Sequence, residues 1–423
     1  MTDAGPGDRI AAFYERFPYP HRDPDANVGD LAWVRPSSLP AVAHHVFGGV
    51  LPAGRPLRVL VAGGGTGDAV VCLGGWLRRL GLAGRIDYVD LSERSCDIAR
   101  ARAAALGLQD VAFRVAPLEA LTEEIDGPYD YIDFCGVLNH VPEPQTALAV
   151  LSRVLAPGGG IGVMAYGRIG RTGVYEAQAA LSLLGVDDGR SDAVALARAF
   201  VRGLPQTNWL RRNPAFQALV DADDAELADV LLNPRDRAFS IADLDGLCAA
   251  AGLRIRSFTP PFLYDPASAV RDPVLRAAAA ELDRRTRWQL AELIQGSLKK
   301  HVFYAVRDGH ETFSGDDDPA ERLLDDPATL LVPAGIHPPA LAATLRGRAE
   351  QARGIQVDVD GRTITVGLRF SDLDLDVLSA IDGPTRVGAI LDRFAGQRDA
   401  AAAALGQVQR RLTGLGLLYV LAE

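Results

Sequence analysis

Gly63, Gly65 and Gly67 punctuate the stretch VLVAGGGTGD at residues 59–68, and a lone acid, Asp90, closes the apolar run IDYVD downstream. Glycines at a turn let the chain bend sharply and let a ligand approach with no Cβ atoms in the way. A carboxylate at the tip of the following strand can accept two hydrogen bonds from ribose hydroxyls. The chemistry read from these residues is the binding of a nucleoside. A dinucleotide fingerprint would put a third glycine where Asp68 stands, and a P-loop would follow Gly67 with a lysine that this chain lacks. Asp68 would also set a negative charge near any pyrophosphate. A nucleoside carrying an amino-acid tail fits better than one carrying phosphates.

The elements that must position these groups follow from pattern. Val59, Leu60 and Val61 form a short apolar run that ends abruptly in glycine, the mark of a buried parallel strand. From Asp68 the sequence AVVCLGGWLRRL is apolar at helical spacing, so the loop feeds a helix. Further on, FRVAPLEAL, YDYIDFCGVLNHV and RVLAPGGGIGVM follow in order before Tyr166. This succession over residues 59–166 resembles the class I S-adenosylmethionine-dependent methyltransferases. The resemblance implies an α/β fold: a Rossmann-like, seven-stranded, doubly wound sheet whose last strand is antiparallel. It implies S-adenosylmethionine as cofactor, with S-adenosylhomocysteine as its product. By the same resemblance the cofactor is held by Gly63, Gly64, Gly65, Thr66 and Gly67, by Asp90 with Leu91, and by Leu118, Glu119, Val137 and Asn139. Two positions depart from the family pattern. Val61 stands where an acid is usual, and Pro117 where an acid often reaches the adenine amine, which leaves adenine to the backbone around Leu118 and to Glu119.

Methyl transfer from a sulfonium is an in-line displacement from an activated leaving group, so alignment matters more than a catalytic triad, and no metal is required. His140, in GVLNHVPEP after the fourth strand, has the titration range of a general base; it reads equally as a residue that bonds a loop carbonyl. The proline-rich strap FYERFPYPHRD (13–23) offers Tyr14 and Tyr19 to the pocket, while Phe13 and Phe17, four apart, are expected to staple the first helix to the sheet. AYGRIGRTGVYE contributes Tyr166, Arg168, Arg171 and Tyr175, and LNPRDRAFS contributes Arg235 and Arg237. These arginines suit a substrate carboxylate or phosphate, or structural ion pairs. With the PYP strap, these stretches are similar to a type-12-like branch of the methyltransferases.

Length and composition frame the rest. With 423 residues, two domains are expected. Residues 1–55 read as a helical strap or lid, and 56–310 as the methyltransferase domain with helical cap insertions at about 170–240 and 266–298. Residues 311–322 read as a polar, acidic linker, and 323–423 as a small α+β, winged-helix-like domain with a hairpin turn at Asp360-Gly361. That last module recruits substrate, or serves packing and a homodimer. A net charge of −10 disfavours nucleic acid and anionic lipid as partners. No apolar stretch approaches the roughly 18 residues of a membrane span. Cys72, Cys96, Cys135 and Cys248 form no metal or disulfide pattern. A cytoplasmic, bacterial enzyme is expected. Its acceptor reads first as a protein side chain, then as a small metabolite, with a non-catalytic cofactor-binding regulator as the third reading.

Overall fold

The computed structural model describes residues 6–24, 36–122, 127–307, 320–349, 353–359 and 362–422. Residues 311–319 of the expected linker and the Asp360-Gly361 turn lie outside the described residues. The main sheet has seven strands: β1 (Leu57–Ala62), β2 (Gly84–Asp90), β3 (Val111–Val115), β4 (Tyr129–Cys135), β5 (Leu155–Tyr166), β6 (Leu253–Phe258) and β7 (Lys300–Arg307). Their order is β3-β2-β1-β4-β5-β7-β6. The strands from β1 to β5 pair in parallel, and β7 runs antiparallel between β5 and β6. The seven-stranded, doubly wound fold with an antiparallel closing strand is thus as expected. Strand order reverses between β1 and β4, and ligands of such sheets sit outside the carboxyl ends at that point.

Both central strands are buried almost throughout, which is why they read as apolar runs without alternation. The Pro-Gly-Gly pattern in the sequence predicts a turn ahead of a fifth strand over 160–166, and this boundary differs. The segment Pro157-Gly158-Gly159 is not a turn ahead of the fifth strand but lies inside it, where the register jumps between Tyr129 and Tyr131. A bulge has absorbed the turn residues.

Four helices fall among the first strands: α1 (Pro6–Arg16) and α2 (Leu39–Phe47) before β1, α3 (Asp68–Arg79) after it and α4 (Glu93–Ala105) after β2. Ser92 caps α4 by accepting a bond from the Ser95 N–H, which fixes the chain direction just beyond Asp90. The insertion after β5 is helical, with Val174–Leu183, Ala193–Gly203 and Asp224–Leu231 around one apolar core. Phe13 is part of that core and Phe17 packs against it. The two phenylalanines therefore staple α1 to the insertion, not to the sheet.

The C-terminal region adds β8 (Leu330–Pro333), the antiparallel pair β9 (Gly354–Val359) and β10 (Arg362–Gly367), β11 (Thr385–Arg386) and β12 (Leu418–Leu421). Strand β8 lies between β11 and β12. From Leu323 up to the hairpin the sequence alone reads as helix-like, since a short apolar run carries no period to separate strand from helix, and β8 corrects that reading. Every residue of α2 is buried, since this helix is sandwiched between the main sheet and β12. His45 stacks on Tyr304 of β7 at 5.0 Å and meets Tyr419 of β12 edge-on. Val42, Tyr304, Val332, Tyr419 and Leu421 all belong to one apolar core.

A chain ending at residue 319 would strip that cover from α2 and lay apolar surface open to water. It should be insoluble or melt well below the full-length protein. A monodisperse truncated protein with the full-length melting temperature would show that the shared core does not stabilise the sheet.

Candidate active site

A cavity of about 890 Å³ opens at the carboxyl ends of β1, β2, β4 and β5. Its floor is the glycine loop. Gly65 has φ +51°, and a Cβ there would stand 2.4 Å from the Tyr19 carbonyl oxygen, so the strap closes directly on this glycine. The Thr66 N–H donates to that same carbonyl, and the Thr66 hydroxyl donates to the Pro20 carbonyl at 2.7 Å. Gly67, at φ +94°, makes room for Ala99 of α4. Gly63, Gly64 and Gly65 thus line the cavity, while Thr66 and Gly67 hold the strap and the helix.

Asp90 lies beside this floor. One carboxylate oxygen accepts the Gly65 N–H at 2.8 Å and the other accepts the Ser92 N–H at 2.9 Å. Burial pushes its pKa up against the pull of these backbone donors. Leu91, Pro117, Leu118 and Glu119 continue the wall, and Val137 faces Gly63. The acid usual at the position of Val61 has a counterpart one strand over. Asp133 of β4 is the register partner of Val61, lines the cavity, and accepts a 2.7 Å bond from the Ser37 hydroxyl. Burial raises its pKa to about 7.

The structure corrects the reading of Asp68. Its carboxylate is neutralised by Arg22 (2.9 and 2.7 Å) and by Arg102 (2.7 Å). Burial works to raise its pKa, but the hydrogen bonds from the two arginines outweigh that and lower it. Asp68 therefore presents no free negative charge, and phosphates are disfavoured by loop spacing alone.

Beyond the glycine loop the cavity reaches Tyr14, Tyr19, His140, Tyr166, Asp229 and Arg235. Asp229 is 1% exposed and gathers three donors: the Tyr14 hydroxyl at 3.1 Å, the Tyr166 hydroxyl at 2.8 Å and the Asn233 amide at 3.1 Å. Burial first, and then the Asp229 charge, push the Tyr14 and Tyr166 hydroxyls well above their ordinary range. Burial likewise raises Tyr19. The rings of Tyr14 and Tyr166 meet the His140 imidazole edge-on at 6.0 and 5.6 Å. His140 Nδ1 lies 2.6 Å from the Arg235 carbonyl oxygen. A carbonyl only accepts, so Nδ1 carries a proton, and in the neutral ring Nε2 has the lone pair. The structure shows His140 tying down a loop through this contact.

The remaining candidates stand outside the cavity. Asn139 accepts the Tyr166 N–H at 2.7 Å, and its own carbonyl accepts from Arg237. Arg168 pairs with Asp243 at the surface, and Arg237 is exposed. Arg171 and Asp236 form a buried ion pair, with Tyr175 beside it and the Tyr166 ring beneath the guanidinium. Sequence reasoning missed Asp229, which sits in the helix Asp224–Leu231 with no motif, and passed over Asn233 within LNPRDRAFS. At the far end, Thr259, Leu263 and Lys300 meet Ile336, Ile355, Val357 and Leu417 of the C-terminal region, so that region walls the cavity.

Fold and crevice together define a Rossmann-like, nucleoside-binding domain, and comparison with known proteins agrees. A methyltransferase-domain family model matches residues 59–159. An uncharacterized protein of Synechococcus sp. is 29% identical over 70% of this chain and 71% of its own length. The ubiquinone biosynthesis O-methyltransferase of Bordetella pertussis is 34% identical over 26% of this chain and 48% of its own. PKMT2 from Rickettsia typhi, solved in complex with AdoHcy, has the same fold (TM-score 0.65, 15% identity) over 94% of this chain and 77% of that one. Residues 59–159 carry a methyltransferase domain of the class I S-adenosylmethionine-dependent kind, and the glycine floor and half-buried Asp90 fit that methyl donor.

Two substitutions probe this site. Asp90→Ala should weaken S-adenosylmethionine binding by about 1–3 kcal/mol through lost charge-assisted hydrogen bonds; unchanged affinity by calorimetry would contradict the ribose assignment. For Asp133 the folded pKa lies above the unfolded one, so the native state binds the extra proton. Wild-type stability should then fall relative to Asp133→Asn as pH rises from about 4 to about 7, by up to about 4 kcal/mol. Denaturation profiles that stay parallel across that window would refute it.

Proposed function

We propose that this enzyme transfers the methyl group to a nitrogen or oxygen nucleophile on a protein side chain that enters the cavity beside the donor crevice. The observation that carries this reading is the polar group of Tyr14, His140, Tyr166 and Asp229 at the ends of β4 and β5, in the same cavity as the glycine loop. A cavity near the top of the roughly 300–1,000 Å³ range of ligand sites leaves room beside a nucleoside for a reaching side chain.

When bound, S-adenosylmethionine supplies a methyl on a sulfonium already activated for displacement. The chain's own work is alignment and proton handling. Asp90 and the glycine loop set the nucleoside in place. The strap at Tyr19 and Pro20 closes over Gly65 and Thr66 and keeps water from the reacting end. His140 offers Nε2 as a proton acceptor, its tautomer held by the Arg235 carbonyl. Tyr14 and Tyr166, oriented by Asp229, are placed to direct the acceptor.

A small-molecule acceptor is the second reading, favoured by the apolar far wall of Ile336, Ile355, Val357 and Leu417. Purified enzyme, radiolabelled donor and cell lysate separate the two. Label should follow the protein fraction and should be lost with His140→Ala by at least about 10-fold in rate. Label in the small-molecule fraction would transfer the function to the second reading, and label in neither, despite donor binding, would sink both.

A further inference from the structure

Asp229 is an uncommon kind of buried acid. Its carboxylate faces the cavity, yet all three of its side-chain hydrogen-bond donors are neutral: two phenols and an amide. Among the described residues no lysine, arginine or histidine forms an ion pair with it. Arg171, whose charge reaches Asp229 past the Tyr166 ring, is already paired with Asp236. A buried charge without a counterion is costly, and it is relieved by a cation that arrives with a ligand. Around the carboxylate stand the rings of Tyr14 and Tyr166, whose faces attract cations. Arg235 also lines the cavity, and its Nη1 is buried with no hydrogen-bond partner among the described residues. That guanidinium can donate to a carbonyl or carboxylate a few atoms away from the cation.

We propose that the Asp229–Tyr14–Tyr166 cluster is the binding site for a primary ammonium, so that the enzyme is an N-methyltransferase whose acceptor carries a primary amine on a flexible chain near a carbonyl or carboxylate. This rests on the methyltransferase reading above and narrows it from nitrogen or oxygen to an amine. The ammonium docks against Asp229 and gives one proton to Nε2 of His140, which passes it to solvent. The freed nitrogen lone pair forms the N–C bond as the C–S bond breaks, and that electron pair stays on sulfur. The products are S-adenosylhomocysteine and a methylammonium, with one proton released. Asp229 then again faces a cation, now bearing one methyl more.

The test has two arms. In the first, the labelled product from lysate is treated with base. An amine-linked methyl survives, whereas a methyl ester is released as methanol; release would overturn the amine assignment while leaving the methyltransferase reading intact. In the second, n-butylamine and its neutral analogue n-butanol are titrated into enzyme saturated with S-adenosylhomocysteine. Butylamine should bind and butanol should not. Asp229→Asn, close in shape and uncharged, should cut butylamine affinity by about 10- to 100-fold and leave donor affinity unchanged. Tyr166→Phe gives a second variant that keeps the charge and removes one donor, and it should cost less than Asp229→Asn. Equal binding of amine and alcohol, or an Asp229→Asn protein that binds butylamine as well as wild type, would refute the ammonium site. A wild-type protein that fails to bind the methyl donor would instead remove the methyltransferase reading.

Discussion

The organisation of this protein depends on one contact: the Asp90 carboxylate on the Gly65 N–H. It joins the tip of β2 to the loop after β1, beside the point between β1 and β4 where strand order reverses, and so fixes one side of the crevice. The same aspartate takes the Ser92 N–H at the start of α4, so loop, strand and helix are fixed by a single side chain. The strap completes the arrangement from above, because the Tyr19 carbonyl rests on the loop where any side chain at Gly65 would collide with it. Burial makes the charged form of Asp90 harder to hold. Ribose hydroxyls would supply further donors to that carboxylate.

From this fixed floor the cavity runs to two other parts of the chain. The insertion after β5 brings Asp229 and Asn233, and the C-terminal region brings Ile336, Ile355 and Val357. Helix α1 is fastened to the insertion twice, since Phe13 joins its core while Tyr14 bonds Asp229. The arginines of AYGRIGRTGVYE support this wall from behind: Arg171 is buried with Asp236, with Tyr166 between it and the cavity. A wall of this kind holds Tyr166 in one orientation against the cavity.

What was legible in the sequence was local. The glycine loop and Asp90 announce themselves because backbone conformation and a strand tip admit few residue types. The centre of the sheet was legible because buried parallel strands are apolar runs between loop signals, as β1 and β4 are. Asp229 was illegible, because an aspartate within a helix looks like surface until the fold turns its face to Tyr14 and Tyr166. Asp133 was hidden for a related reason: only the pairing of β1 with β4 sets it beside Val61. The arginines misled because spacing cannot distinguish Arg235, which reaches the cavity, from Arg171, which is consumed by an ion pair. Strand β8 was missed because four apolar residues carry no period.

The central claim is that the crevice at the ends of β1 and β2 lodges the adenosine of a sulfonium donor, with the reacting end turned toward His140 and Asp229. A crystal structure of the full chain with S-adenosylhomocysteine tests it most directly. Ribose hydroxyls on the Asp90 carboxylate, adenine near Leu118 and Glu119, and sulfur directed at the Tyr14–Tyr166 cluster are the predicted result. A ligand with its ribose away from Asp90, or a sulfur pointing away from that cluster, would contradict it.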